Sequence, residues 1–137
     1  FEIGKAITLR EGTDVTIFAS GICVADALTA ADLLASQGVS AQVVNIFTIK
    51  PIDVEGITAA VSRTGAAVTA ENHNIIGGLG SAVAEVLSES CQVQLDRIGD
   101  HDPFGEVGGV GYLKKRFQMT PDDIVRAALK AINRKNQ

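Results

Sequence analysis

Glu71-Asn72-His73 places an acid and a base two residues apart, just past the expected carboxyl end of a β-strand, where open α/β sheets hold their ligands. Acid-base or metal chemistry would use such a triplet. His73 is one of only two histidines in the chain and has no assignable nucleophile beside it, so a polar interface or loop-fixing role fits it better than catalysis. Immediately downstream, the N–H groups of Gly77-Gly78-Leu79-Gly80 could cradle an anion at a helix N-terminus. The spacing departs from Gly-x-Gly-x-x-Gly, and close packing of backbone on backbone is the better account of Gly77, Gly78 and Gly80. Gly4-Lys5 is followed by Ala6, which excludes a nucleotide phosphate loop. Asp100-His101-Asp102 with Glu106 offers ligand-type side chains, yet hard cations take six or more oxygens and zinc a closed nitrogen and sulfur set. A solvated loop is expected there. Cys23, near a helix N-terminus where thiols can become reactive, is flanked by Ile22 and Val24 and reads as a buried small hydrophobe. By its own residues the chain carries no complete catalytic, cofactor-binding or metal-binding constellation.

The composition bounds what else it can do. With 137 residues, 46% hydrophobic, the chain matches one ordinary domain with its own core and needs no disulfide framework, for which Cys23 and Cys91 are too few. A reducing cytoplasm suits this cysteine usage. Twelve Lys+Arg against 16 Asp+Glu leave no basic stripe, so nucleic acid is not an expected partner. No apolar run is long enough for a membrane helix, and residues 1–5 lack the shape of a signal peptide. Beginning on Phe1 rather than Met, the sequence reads as a piece of a longer chain. Aromatic residues at 4%, with abundant Ala, Val, Ile and Gly, suit thin layers of helix on sheet.

The elements that must position these residues follow from periodicity. Ile7-Thr8-Leu9 and Asp14 to Ala19 read as a short strand leading through Arg10-Glu11-Gly12 into a buried one, as an antiparallel edge pair. A helix opens at Ser20-Gly21 and runs to about Ser36, with Asp26, Thr29, Asp32 and Ser36 outward and Val24, Ala27, Leu28, Ala31, Leu34 and Ala35 inward. Ala41 to Phe47 is a strand; a helix capped by Asp53 runs to Gly65; Ala66 to Ala70 is a third long strand. The glycines lead into a helix with Val83, Val86 and Leu87, and Val93 to Ile98 alternates like a strand near an edge. A glycine-rich loop over 99–111 and a short helix around Tyr112 to Phe117 precede the last helix. That helix has Thr120 as N-cap, Pro121 in its first turn and Ile124, Val125, Ala128, Leu129 and Ile132 on one face. Strands alternating with helices imply right-handed crossovers and one α/β/α sandwich over residues 1–137, its sheet five-stranded and mostly parallel with one antiparallel edge strand.

Three stretches together resemble one family: Phe47-Thr48-Ile49-Lys50-Pro51-Ile52-Asp53, then Glu71-Asn72-His73-Asn74 running into Gly77-Gly78-Leu79-Gly80-Ser81-Ala82-Val83, then Asp102-Pro103-Phe104-Gly105-Glu106. Their order and spacing are similar to the C-terminal domain of transketolase and its thiamine-diphosphate relatives, over essentially the whole chain. The Phe47 to Asp53 stretch and the acid-x-His pattern look more like transketolase, especially the form whose C-terminal section is a separate polypeptide. Deoxyxylulose-phosphate synthase and the decarboxylase β subunits of 2-oxo-acid dehydrogenases share the glycine turn but usually differ at Thr48-Ile49-Lys50 and His73.

The resemblance implies an enzyme that transfers a two-carbon ketol unit from a ketose phosphate to an aldose phosphate in the cytoplasmic pentose phosphate pathway, with thiamine diphosphate as the electron sink. It also implies that the diphosphate, Mg2+ and activating Glu belong to preceding domains, because the Gly-Asp-Gly signature is absent where Gly99-Asp100 continues with His101. No catalytic residue carries over. This domain would then bind no cofactor itself and would support assembly with cofactor-binding domains or a companion subunit, in a homodimer or heterotetramer. The segment Glu71, His73, Ile75, Ile76, Gly77, Gly78, Gly80 would lie at that interface or serve as a structural motif, since two adjacent branched apolar residues on a loop are costly to leave in water. An independent regulatory or docking module on the same fold is the alternative of a different class.

Overall fold

A computed structural model describes residues 4–47, 52–74, 78–90, 94–100 and 120–136. The elements run β1 (Ile7–Arg10), β2 (Val15–Ala19), α1 (Cys23–Ser36), β3 (Ala41–Asn45), α2 (Val54–Thr64), β4 (Ala66–Asn74), α3 (Leu79–Ser90), β5 (Gln94–Asp100) and α4 (Pro121–Lys135). The five strands form one sheet in the order β1-β3-β2-β4-β5, parallel except for β1. The alternation of β2 divides the core. Val15, Ile17 and Ala19 join Ala27, Ala31 and Leu34 of α1 and Ile124, Ala128 and Ala131 of α4 on one face. Phe18 joins Ile57 and Val61 of α2 and Leu79 and Val83 of α3 on the other. This is the expected α/β/α sandwich, and with so few aromatics its inner layers are built from alanine and valine.

The antiparallel strand is not where local sequence puts it. β1 pairs with β3, Ile7 opposite Asn45 and Thr8 opposite Val44, and not with the adjacent β2. Both edges of β2 are already taken by parallel neighbours. The chain must therefore pass from the outer side of β3 to its inner side. It crosses at Gly12, which lies so close to the Ala41 backbone that a Cβ would collide with it. Asp14 N donates to Ser40 O at 2.8 Å, and Ser40 N donates to Asp14 Oδ2 at 2.7 Å, fixing the crossing.

The helix ends follow the sequence closely. Asp53 accepts Gly56 N at 3.0 Å and also Ala6 N at 2.9 Å, so one carboxylate caps α2 and ties down the lead into β1. Gly65 ends α2 in the left-handed region, with φ of 74°. Thr120 and Asp123 form a reciprocal capping box at the start of α4. Lys135, at the other end of α4, donates to Thr64 O at 2.6 Å and Asp14 O at 2.7 Å, joining this helix to the end of α2 and the start of β2. Two helix faces differ from expectation by one position. Leu129 and Ala35 are exposed, whereas Ala127 and Ala30 are buried, because each buried stripe is narrower than the apolar run and one residue is about 100° of rotation.

A polar seam that hydrophobic patterning does not signal lies under α2. Gln42 and Thr16 are fully buried, and Gln42 Nε2 donates to Thr16 Oγ1 and to Ala60 O. The Thr16 and Thr64 hydroxyls are 2.8 Å apart, and Thr64 in turn donates to Ala66 O. Arg63 closes the seam by donating to Gln42 Oε1 and Glu11 Oε2. Every buried polar group named here has a partner, which is the condition for tolerating them in a core.

Candidate functional site

The strand-to-helix join from β4 to α3 is where the sequence concentrated its candidates. β4 is longer than predicted and runs through Glu71, Asn72 and His73 to Asn74, so the triplet belongs to the strand and not to a loop beyond it. The reason is β5: pairing continues past an irregularity after Ala70 until Asn74 lies opposite Asp100. Ile75, Ile76 and Gly77 lie outside the described residues, as does the His73 side chain. The cluster of His101, Asp102 and Glu106 and the short helix around Tyr112 fall outside them too.

Alternation along β4 sends Ala67, Thr69 and Glu71 toward the α2/α3 layer. Glu71 is fully buried. Its Oε1 accepts Leu79 N at 2.7 Å and its Oε2 accepts Gly80 N at 2.6 Å. A buried carboxylate is costly unless its charge is met by donors, and here two of the orphan amides in the first turn of α3 meet it, aided by the positive end of the helix. The chemical consequence is a closed clasp. Both carboxylate oxygens are engaged, so Glu71 is not presented to a substrate, and two of the amides that could have gripped a phosphate, those of Leu79 and Gly80, are filled by the protein's own carboxylate. A diphosphate would meet a negative charge there. The described residues of this join therefore do not fit a thiamine diphosphate cradle.

Gly80 completes the clasp for a steric reason. A Cβ on it would stand 2.7 Å from Arg97 Cδ and 3.0 Å from Thr69 Oγ1. Its φ is not in the left-handed region, so close approach alone accounts for it. Thr69 Oγ1, on the central part of β4, is the one buried side-chain polar atom without a hydrogen-bond partner among the described residues. Gly78 is half-buried and accepts Ala82 N through its carbonyl. Gly80→Val is expected to destabilise the domain by about 1–3 kcal/mol, since the Arg97 stem can swing aside but Thr69 cannot. Urea denaturation checks this, and an unchanged midpoint would contradict the steric role.

Cys23 is buried at the start of α1 and takes part in no disulfide, a small hydrophobe as its neighbours suggested. Among the described residues, no helix is long and apolar enough to cross a membrane. What sequence reasoning missed was the target of Glu71. The signal was available: an acid at the end of an apolar strand, eight residues before a helix start, is a natural partner for that helix's free amides.

A three-layer sandwich whose sheet is parallel but for one edge strand, with a strand-to-helix join closed by its own carboxylate, is a specific architecture. Residues 4–124 match the family described as the C-terminal domain of transketolase. The chain is 56% identical over 136 residues, 99% of its length, to a 6-deoxy-6-sulfo-D-fructose transketolase subunit of Clostridium sp. (strain MSTE9), and covers 42% of that relative. It is 41% identical over 127 residues, 92% of its length, to a 1-deoxy-D-xylulose-5-phosphate synthase of Heliobacterium modesticaldum, of which it covers 20%. Among solved structures it is similar to a split gene transketolase described as an inactive beta4 tetramer, with a TM-score of 0.95 and 47% identity, covering 98% of this chain and 44% of that one. The chain belongs to the transketolase C-terminal domain family. It spans less than half the length of the transketolase subunit it matches at 56% identity.

Proposed function

We propose that this chain is the assembly-supporting C-terminal part of a transketolase, which moves a two-carbon ketol unit from a ketose phosphate to an aldose phosphate in the cytoplasm. The observation that carries this reading is the 56% identity to a transketolase subunit, extending over 99% of the chain. The Glu71 clasp supports the division of labour, because the glycine turn spends its amides on holding α3 to the sheet. Thiamine diphosphate and Mg2+ then belong to the other section of the enzyme, which supplies the carbanion chemistry. The complete enzyme is a homodimer or a heterotetramer with a companion subunit. A ketose carrying a sulfonate in place of the phosphate is a second donor, favoured by the name of the 56% identical relative.

The complete enzyme, loaded with thiamine diphosphate and Mg2+, is expected to transfer a ketol unit from a ketose phosphate or from 6-deoxy-6-sulfo-D-fructose to an aldose phosphate. The chain alone is expected to do neither and to give no binding heat with the cofactor in calorimetry. Release of CO2 from a 2-oxo acid in place of ketol transfer would replace this reading with a synthase or decarboxylase one. Stoichiometric cofactor binding by the chain alone would overturn the division of labour.

A further inference from the structure

The two ends of the parallel strands differ in character. At the amino end, the connections expose Glu11, Thr13, Gln37 and Ser40. At the carboxyl end they expose hydrocarbon: Ile22 after β2, Phe47 after β3 and Val54 at the start of α2 are 50%, 44% and 47% accessible. Ile46 N donates to Ala19 O at 3.0 Å, which holds the Phe47 connection against the one leading to Ile22. These three are half of the large apolar side chains exposed among the described residues, and all lie at one end of the sheet. Such a concentration in water marks a face that is covered in the working molecule.

What covers it follows from where the chain enters. Ile7 stands opposite Asn45, the last residue of β3, so the lead into β1 arrives at this same end. Ala6 N is fastened there to Asp53, the residue before Val54. Chain upstream of a C-terminal domain is thus delivered directly onto the apolar end, and in the 56% identical relative more than half of the subunit lies outside the matched part.

We propose that Ile22, Phe47 and Val54 form the seat for the remaining section of the same subunit. This inference rests on the transketolase reading and adds the surface through which the two sections join. The polar amino end of the sheet stays in water.

Hydroxyl-radical footprinting of the complete, unmodified subunit tests it, with each side chain's oxidation rate normalised to the urea-unfolded protein and ketol transfer measured on the same preparation after addition of the companion subunit, thiamine diphosphate and Mg2+. Phe47, Ile22 and Val54 are expected to react roughly fivefold more slowly than Leu129, which is comparably accessible in the domain but lies on α4. Equal normalised rates would overturn the proposal whether or not the sample is active. Protection lost on dilution to the single subunit would put a second copy on this face and overturn it as well. Protection that persists while the enzyme completed with its companion subunit, thiamine diphosphate and Mg2+ stays inactive toward sugars supports the seat and removes the transketolase reading, so the two can fail separately.

Discussion

Glu71→Ala is expected to lower the unfolding free energy by about 3 kcal/mol, because it strands two buried amide donors at the start of α3 and removes a charge-assisted cap. The bonds lost are those to Leu79 N and Gly80 N. Glu71→Gln keeps one acceptor oxygen and should lose roughly half as much. Chemical denaturation of the three proteins gives the order directly. Amide hydrogen exchange adds a location: in Glu71→Ala the first turn of α3 should lose protection before β2 and β4 do. If Glu71→Ala matched the parent in midpoint, the clasp would be an incidental contact, and the glycine turn would again be open to an external anion.

Gly12→Ala is expected to be at least as damaging, about 3 kcal/mol or more, although it adds one methyl group. The collision is with the backbone of Ala41 and Gln42, and no rotamer change can relieve it. β1 must either leave β3 or drag the start of β3 with it. Loss of β1 would expose the outer edge of β3 as a free pairing edge, so the variant should also aggregate on mild heating. Circular dichroism melts combined with light scattering measure both effects. A variant that melts like the parent would mean that the crossing has slack that its hydrogen bonds to Ser40 do not suggest.

Much of this architecture could be read from sequence because the signals are local. Asp53 before an amphipathic run, Gly65 after it, and Thr120-Pro121-Asp122-Asp123 each bring their helix terminus with them, needing no distant partner. What escaped depends on neighbours far along the chain. The partner of β1 could not be found from Ile7 to Arg10, since its choice is settled by β2 having both edges filled. The length of β4 was underestimated because the run of small apolar residues stops at Ala70, while the ladder with β5 does not. Gln42 looked like one polar residue in a β-branched strand, and only α2 laid across it shows why it is buried. At the candidate site, the residues were legible as a set but their relation was not. A carboxylate, a glycine turn and a helix start were all visible, yet which donors the acid would take required the strand to be extended first.

The pair of hydrogen bonds from Lys135 bears on the order in which the domain can assemble. It joins groups separated by 121 and 71 positions in the chain, so in the unfolded ensemble it is among the most expensive contacts to close, loop entropy rising by about 0.6 kcal/mol with each doubling of length. The strands and α2 can pair while their elements are still being made, but α4 reaches them only after the rest of the domain exists. During synthesis the face that α4 covers on Val15, Val68 and Ala70 stays greasy and open until the final helix leaves the ribosome. Lys135 is then the last latch to engage, and until that moment the uncovered face is the part of the nascent domain most prone to aggregation.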